Sequence, residues 1–258
     1  MASRMRSAGW TTVTARRRSD ARIIEPTRLD MMRPPTQPAT TDALVVRLRT
    51  LDVCAVSDAL DHFGLEGVLD GVGPLWAPLR VAGRVITVQL GPPDEHPARR
   101  HLCSEAVAAA GPGDVIVVDH QARTDCAGWG GNLSRAAMQR GVAGTIVHGA
   151  VRDVDESRDI GYPVFAAATT PRTARGRTRE HAWGAEIRLG ELRVTTGDFV
   201  IADGTGVAFI TASDAERVVD RAETIAAKEA EMAKAIDSGT SATEVMGRSY
   251  ETMIGGDS

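Results

Sequence analysis

The chain has 258 residues, 43% of them hydrophobic, with a formal net charge of −4. That length and apolar share can bury a sizeable core, and the charge balance leaves no chain-wide basic footprint for nucleic acid. No apolar run approaches the roughly 18 residues that a membrane span needs, so neither nucleic acid nor membrane is an expected partner. Cys54, Cys103 and Cys126 are an odd number without metal-ligand spacing, which reads as free, buried thiols in a reducing cytoplasm.

Residues 1–41 stand apart. The first forty carry eight arginines against Asp20, Glu25 and Asp30, include "RPPTQP", and show no sustained apolar period. They read as a disordered basic extension without a secretory h-region, and Met31 or Met32 is an equally compatible start. From residue 42 to 258 the pattern is that of one folded domain. "DALVVRLRTL" and "VSDALDHFG" predict two short helices, the second ended by Gly64. "RVAGRVITVQL" predicts a strand with Ile86, Val88 and Leu90 on one face. "LCSEAVAAAGPGDVIVVDH" gives a helix, a Gly-Pro-Gly turn and a strand, and "WGGNLSRAAMQRG" a helix opened by glycines and closed by Gly141. Thr145 to Gly149 form a buried strand, and "YPVFAA" another. A Thr/Arg-rich loop, "TTPRTARGRTREHAWG", leads into "AEIRLGELRVTTGDFVIADGTGVAFITA", a series of strands and tight turns. A long helix starts at Ser213, where Ser213 and Glu216 have capping-box spacing. Helix–strand alternation followed by a β-rich meander predicts a mixed α/β domain with mixed sheets.

The chain carries no Gly-x-Ser-x-Gly elbow, phosphate loop or His-Glu-x-x-His motif. His96 and His101 beside a proline loop are a weak ligand pair. Lysine occurs only at Lys228 and Lys234, both in the last helix and away from the glycine-flanked core. Schiff-base chemistry needs a desolvated lysine in the pocket, so carbanion chemistry here would need a metal as electron sink.

Two short stretches have the makings of such a site. Gly130 and Gly131 open a helix, so the amides of Asn132 and Leu133 are either donors for an anion or simply the start of a tight turn. Arg152-Asp153 follows the buried strand directly, with Glu156 three residues after Asp153. Arginine grips carboxylates in a fork and aspartate is a hard oxygen ligand, although solvated surface ion pairs give the same composition.

The order and spacing of these pieces resemble the RraA-like family, which includes the class II 4-hydroxy-4-methyl-2-oxoglutarate / 4-carboxy-4-hydroxy-2-oxoadipate aldolases. The resemblance is carried by "VSDALDHFG", "GPGDVIVVD", "GWGGNLSRAAMQRGVAGTIVHGAVRDVDE", "GYPVFA", "GDFVIADGTGVAFI" and the final "KEAEMAKAIDSG", over roughly Ala43 to Glu244. It implies a swivelling-type α/β domain assembled as a homotrimer or homohexamer with active sites between subunits. In the aldolases a divalent metal, Mg²⁺ or Mn²⁺, is held by the counterpart of Asp153 and by waters. The counterpart of Arg152 binds the pyruvate part of a small oxo-acid substrate, and amides matching Asn132 and Leu133 hold its carboxylate. One branch carries an aspartate where this chain has Gly131; the other has glycine there and an acid at the position of Glu156, the pattern found here. His148, where many relatives have aspartate, reads as a tolerated variation. The regulators that inhibit ribonuclease E typically lack the metal aspartate, which makes that function the alternative.

In the last helix Val218, Ala222, Ile225, Met232 and Ile236 form an apolar stripe, and Glu229 falls on it. It is either a helix edge whose carboxylate reaches water or an arginine, or the family's glutamate from the adjacent subunit, with Glu231 as second choice. The implied activity is metal-dependent cleavage of 4-hydroxy-2-oxo acids to pyruvate plus an oxo acid. The same enolate chemistry would decarboxylate oxaloacetate. Arg152, Asp153, Glu156 and Glu229 are the catalytic group expected from the resemblance.

Overall fold

The computed structural model describes residues 42–95 and 100–247, all within the compact unit Pro38–Ser258. The basic extension at 1–41 and His96 lie outside the described residues. In chain order the elements are α1 (Ala43–Leu48), α2 (Val53–His62), β1 (Val68–Leu69), β2 (Gly73–Pro74), β3 (Val81–Gly91), α3 (Ser104–Ala109), β4 (Val115–Asp119), α4 (Gly131–Gln139), β5 (Gly144–Val151), α5 (Val154–Asp159), β6 (Val164–Thr169), β7 (Arg179–Trp183), β8 (Ile187–Leu189), β9 (Leu192–Val194), β10 (Phe199–Ala202), β11 (Val207–Ile210), α6 (Ala215–Asp237) and α7 (Ala242–Val245).

The main sheet runs β1-β11-β10-β3-β4-β5-β6-β2, with β7 added against β3. Strand β3 is the pivot. Its first residues pair antiparallel with β10, its middle pairs parallel with β4, and its end pairs antiparallel with β7. The β4–β5 and β5–β6 pairs are parallel. This mixed α/β architecture is the one the chain order predicts.

Alternation along the strands sorts the core into layers. Ala82, Phe199, Ile201, Ala208 and Ile210 pack beneath α1, α2 and α6. Ile86, Val88, Ile116, Val118 and Val147 pack beneath α3 and α4. The opposite side chains, among them Val85, Val115, Val117, Ile146, Phe165 and Val200, form a third cluster closed by Ile187, Leu189 and Val194 of the β8–β9 hairpin. Strand β3 is therefore buried on both faces, not only on that of Ile86, Val88 and Leu90.

The acidic stretch after β5, to which the sequence assigned no element, folds as α5, with Asp153 at its N-cap. Three local expectations change. Arg179–Trp183, within the Thr/Arg-rich loop, form β7, because the far end of β3 still has a free edge to pair. The Ser213–Glu216 capping box does not form. Helix α6 starts at Ala215 after Asp214, Ser213 Oγ lies 2.9 Å from Thr211 Oγ1, and Glu216 reaches Arg47 at 3.6 Å. Cys54 is exposed, while Cys103 and Cys126 are buried free thiols as expected.

Helix α6 is tied down by Arg47 of α1, whose Nε and Nη2 donate to Glu223 at 2.8 and 2.7 Å and whose Nη2 reaches Asp220 at 2.5 Å. Its apolar stripe is buried from Val218 to Ile225, half-buried at Met232 and exposed at Ile236. No helix among the described residues is long and apolar enough to cross a membrane.

Candidate active site at the glycine turn

The parallel strands β4, β5 and β6 all point their carboxyl ends the same way, and the segment between β4 and α4 folds back over the end of β5. Gly128 N donates to Ala150 O at 2.8 Å and Arg152 N donates to Trp129 O at 3.1 Å. These two bonds set the glycine turn beside Arg152-Asp153, although some twenty residues separate them in sequence. A buried polar chain locks the helices behind: Trp129 Nε1 donates to Ser134 Oγ at 2.9 Å, which lies 2.9 Å from Ser157 Oγ of α5.

Asp153 sits at φ +57°, a left-handed conformation uncommon for residues other than glycine, asparagine and aspartate. That turn brings its carboxylate back over the start of α4. Gly131 N donates to Asp153 Oδ2 at 3.0 Å, and Arg152 Nε lies 3.3 Å from the same oxygen. The approach explains Gly130: a Cβ there would stand 2.8 Å from Asp153 Oδ2 and 3.3 Å from Arg152 Cγ. At Gly131 a Cβ would overlap the Glu156 carboxylate. Glu156 thus fills the space a side chain at position 131 would take, which is the physical content of the glycine-plus-distant-acid pattern. Its other oxygen, Oε1, accepts from Arg135 Nε at 2.6 Å.

The structure therefore brings Gly131, Asn132, Leu133, Arg152, Asp153 and Glu156 together. One detail differs from expectation. Leu133 N donates to Gly130 O at 3.1 Å, a tightened first turn, so its amide is already used. Gly131 N is likewise spent on the Asp153 carboxylate, and among the described residues Asn132 N has no acceptor, which makes it the outward amide of the turn.

Glu229 is elsewhere in the chain. It lines an open cleft with Asp52, Cys54, Arg80, Asp203 and Thr205, on the side of the sheet half covered by α2 and α6. Burial, then the neighbouring Asp52 and Asp58, push its carboxyl above the usual glutamate range. Asp203 in this cleft accepts from Val53 N at 3.0 Å and Thr205 N at 2.8 Å. Glu231 is exposed on α6. Sequence reasoning missed Arg135, although it stands one helical turn after Gly131 and so shares its face. It also missed the Asp52–Arg80–Asp203 surroundings of Glu229, which no local pattern joins. His101 makes a local bond from Nδ1 to its neighbour's carbonyl, Leu102 O, at 2.9 Å, and has no part in the site.

Among the described residues no three His, Cys, Asp or Glu side chains converge as a metal-binding group. Asp153 with Glu156 nearby offers one or two hard carboxylate oxygens. That sparse set suits Mg²⁺, which binds through one or two carboxylates and keeps several waters.

The family model described as RraA-like, Aldolase/RraA, matches residues 53–209. Protein DlpA of Legionella pneumophila is 30% identical over 201 residues, which are 78% of this chain and 33% of DlpA; the chain thus spans about a third of that protein's length. A 4-hydroxy-4-methyl-2-oxoglutarate aldolase of Thermus thermophilus is 34% identical over 130 residues, 50% of this chain and 74% of that protein. Among solved structures, Streptomyces coelicolor RraAS2, described as an unusual member of the RNase ES inhibitor RraA protein family, superposes with a TM-score of 0.64 at 28% identity, covering 70% of this chain and 91% of that one. With a family match over more than half its length and a glycine turn, Arg152, Asp153 and Glu156 gathered at one strand end, the chain belongs to the RraA-like family, Aldolase/RraA.

Proposed function

We propose that the protein is a divalent-metal-dependent lyase that cleaves 4-hydroxy-2-oxo acids to pyruvate and a second oxo acid, and that it also decarboxylates oxaloacetate. The observation that carries this reading is the meeting of Arg152 Nε and the Gly131 amide on one oxygen of Asp153, at 3.3 and 3.0 Å, with the Glu156 carboxylate against the same turn.

The outward amide of Asn132 would bind the substrate carboxylate at the helix start, where a free N–H group and the helix dipole favour an anion, while the Gly131 amide holds Asp153 in place. Arg152, with its side chain 42% exposed, would face the 2-oxo group and stabilise the negative charge that develops there. Asp153 would hold the metal, which when bound polarises the oxo acid and lowers the cost of the enolate. Loss of the C4 hydroxyl proton lets the C3–C4 bond break. The bonding pair becomes the enolate of pyruvate, C4 becomes the carbonyl of the second product, and a proton returns to C3. Glu156, fixed by Arg135, would orient the proton acceptor. Glu229 would act only from a neighbouring subunit of a homotrimer or homohexamer, since within one chain it lines the other cleft. In oxaloacetate the bond to the leaving carboxylate breaks instead and CO₂ departs, giving the same enolate.

The test is pyruvate release from 4-hydroxy-4-methyl-2-oxoglutarate and from oxaloacetate, with Mg²⁺ and with chelator. Asp153→Ala should lose turnover on both while keeping its fold. Undiminished turnover by Asp153→Ala in chelator sinks the metal assignment. The likeness to RraAS2 favours a second reading, a regulatory protein that binds a ribonuclease. No release from either acid, together with inhibition of ribonuclease E, would establish it.

A further inference from the structure

Behind the glycine turn lies a buried polar group that the reaction does not use. His120, immediately after β4, is 0% exposed. Its Nε2 lies 2.8 Å from Cys126 O, and since a carbonyl only accepts, Nε2 carries the proton. Its Nδ1 is buried without a partner. The ring is wedged between two glycines: a Cβ at Gly128 would stand 3.0 Å from its Cγ, and one at Gly149 2.8 Å from its Cδ2. The chain on either side is laced to the end of β5 by backbone bonds, from Ala122 N to His148 O at 3.0 Å, Ala150 N to Arg123 O at 2.8 Å and Gly128 N to Ala150 O at 2.8 Å. The ring therefore fills the space between the returning segment and the strand, two residues before Gly130 on one side and three before Arg152 on the other.

We propose that His120 is a positioning residue: its Nε2–H ties the Cys126 carbonyl and its ring spaces the segment from β5, so that the Gly131 and Asn132 amides are held beside Arg152 and Asp153. An unanchored segment would let the Gly131 amide drift from Asp153 and the Asn132 amide from the substrate carboxylate. Because that carboxylate is bound equally in the ground and transition states, the loss falls on KM and not on kcat.

Two variants of similar volume separate the hydrogen bond from the packing. His120→Gln puts an amide donor where Nε2 stands; His120→Met fills the space without one. Each is measured in the full chain by amide exchange over residues 126–132 and by steady-state kinetics on oxaloacetate with Mg²⁺. For His120→Met, exchange and KM should each rise about ten-fold, the size of one lost hydrogen bond, with kcat little changed. For His120→Gln both should return to within about three-fold of the parent protein. Unchanged exchange in His120→Met, equal exchange in the two variants, or a fall in kcat with KM intact would overturn the proposal. If His120→Met does not fold, His120→Asn, whose shorter amide cannot reach the Cys126 carbonyl, takes its place. The kinetic arm rests on the lyase reading; if the parent protein releases no pyruvate, that reading falls and the exchange arm alone decides the role of His120.

Discussion

Replacing Gly131 by alanine should leave the fold intact and disable the site. Gly131 is the first residue of α4 and does not need a positive φ, so alanine costs nothing in backbone strain. Helix propensity favours alanine over glycine by up to about 1 kcal/mol. The new Cβ would overlap the Glu156 carboxylate and lie 3.1 Å from its Cγ. Ordinary carbon contacts begin near ~3.5 Å, so the carboxylate must retreat by about 1 Å or more. It can do so cheaply, because it is the end of a flexible side chain that is 35% exposed. The loss is its ion pair with Arg135, worth roughly 0.2–1 kcal/mol at such exposure. The stability terms nearly cancel, and the melting temperature should stay within a few degrees. A misplacement of ~1 Å costs about 100-fold in rate where the group orients a reacting proton. Pyruvate release with Mg²⁺ should therefore fall by about two orders of magnitude in a protein that melts normally. The double variant Gly131→Asp with Glu156→Ala, which moves the acid from one position to the other, should recover part of the activity that Gly131→Asp alone loses. Gly131→Ala with the parent's kcat/KM, or with activity lost only in step with a collapse in melting temperature, would refute the role given to Glu156.

Other outcomes follow from the same contacts. Arg47→Met removes a partly exposed network linking α1 to α6 and should cost about 1 kcal/mol in urea unfolding, less at high salt. Tyr162→Phe leaves the buried Thr145 hydroxyl without its 2.8 Å partner and should cost about 1–3 kcal/mol, read as a lower urea midpoint at unchanged slope. Burial depresses the His120 pKa below the unfolded value of about 6.5, with Arg123 acting in the same direction and the Cys126 carbonyl, Asp125 and Asp119 opposing it. Stability from this site is thus fully present above about pH 6.5 and is lost as pH falls towards the depressed folded value, because the unfolded chain takes up a proton that the buried ring refuses. His120→Gln should flatten that acid limb by at most ~1.4 kcal/mol per pH unit between pH 5 and 7, and an unchanged limb would show the imidazole to be irrelevant to it.

Most of the architecture was legible in the chain because it rests on local periodicity. Strands β4 and β5 are short apolar runs bounded by glycine, α4 opens at Gly130–Gly131, and α6 shows its stripe from Val218 to Met232. The spacing of Gly131, Arg152, Asp153 and Glu156 likewise pointed to residues that the fold brings together. What depended on contact was not legible. Strand β7 exists because β3 has an edge to share, the Ser213 cap fails because Ser213 and Asp214 turn to Thr211, and Leu133 spends its amide on Gly130 because the first turn tightens.

The amino-acid order by itself determined which residues are apolar, how often they recur, and where glycine permits the chain to reverse; these are properties of neighbours along the backbone, and they were enough for the fold class and the cluster of candidate residues. Only the tertiary structure decided that Glu156 occupies the volume missing at Gly131, that Arg135 holds it there, that His120 wedges the turn from behind, and that Glu229 faces a different cleft of its own chain. The reason is physical: a hydrogen bond or an excluded volume depends on distances of a few ångströms between atoms whose sequence separation can be twenty or a hundred residues, and no local pattern encodes that separation.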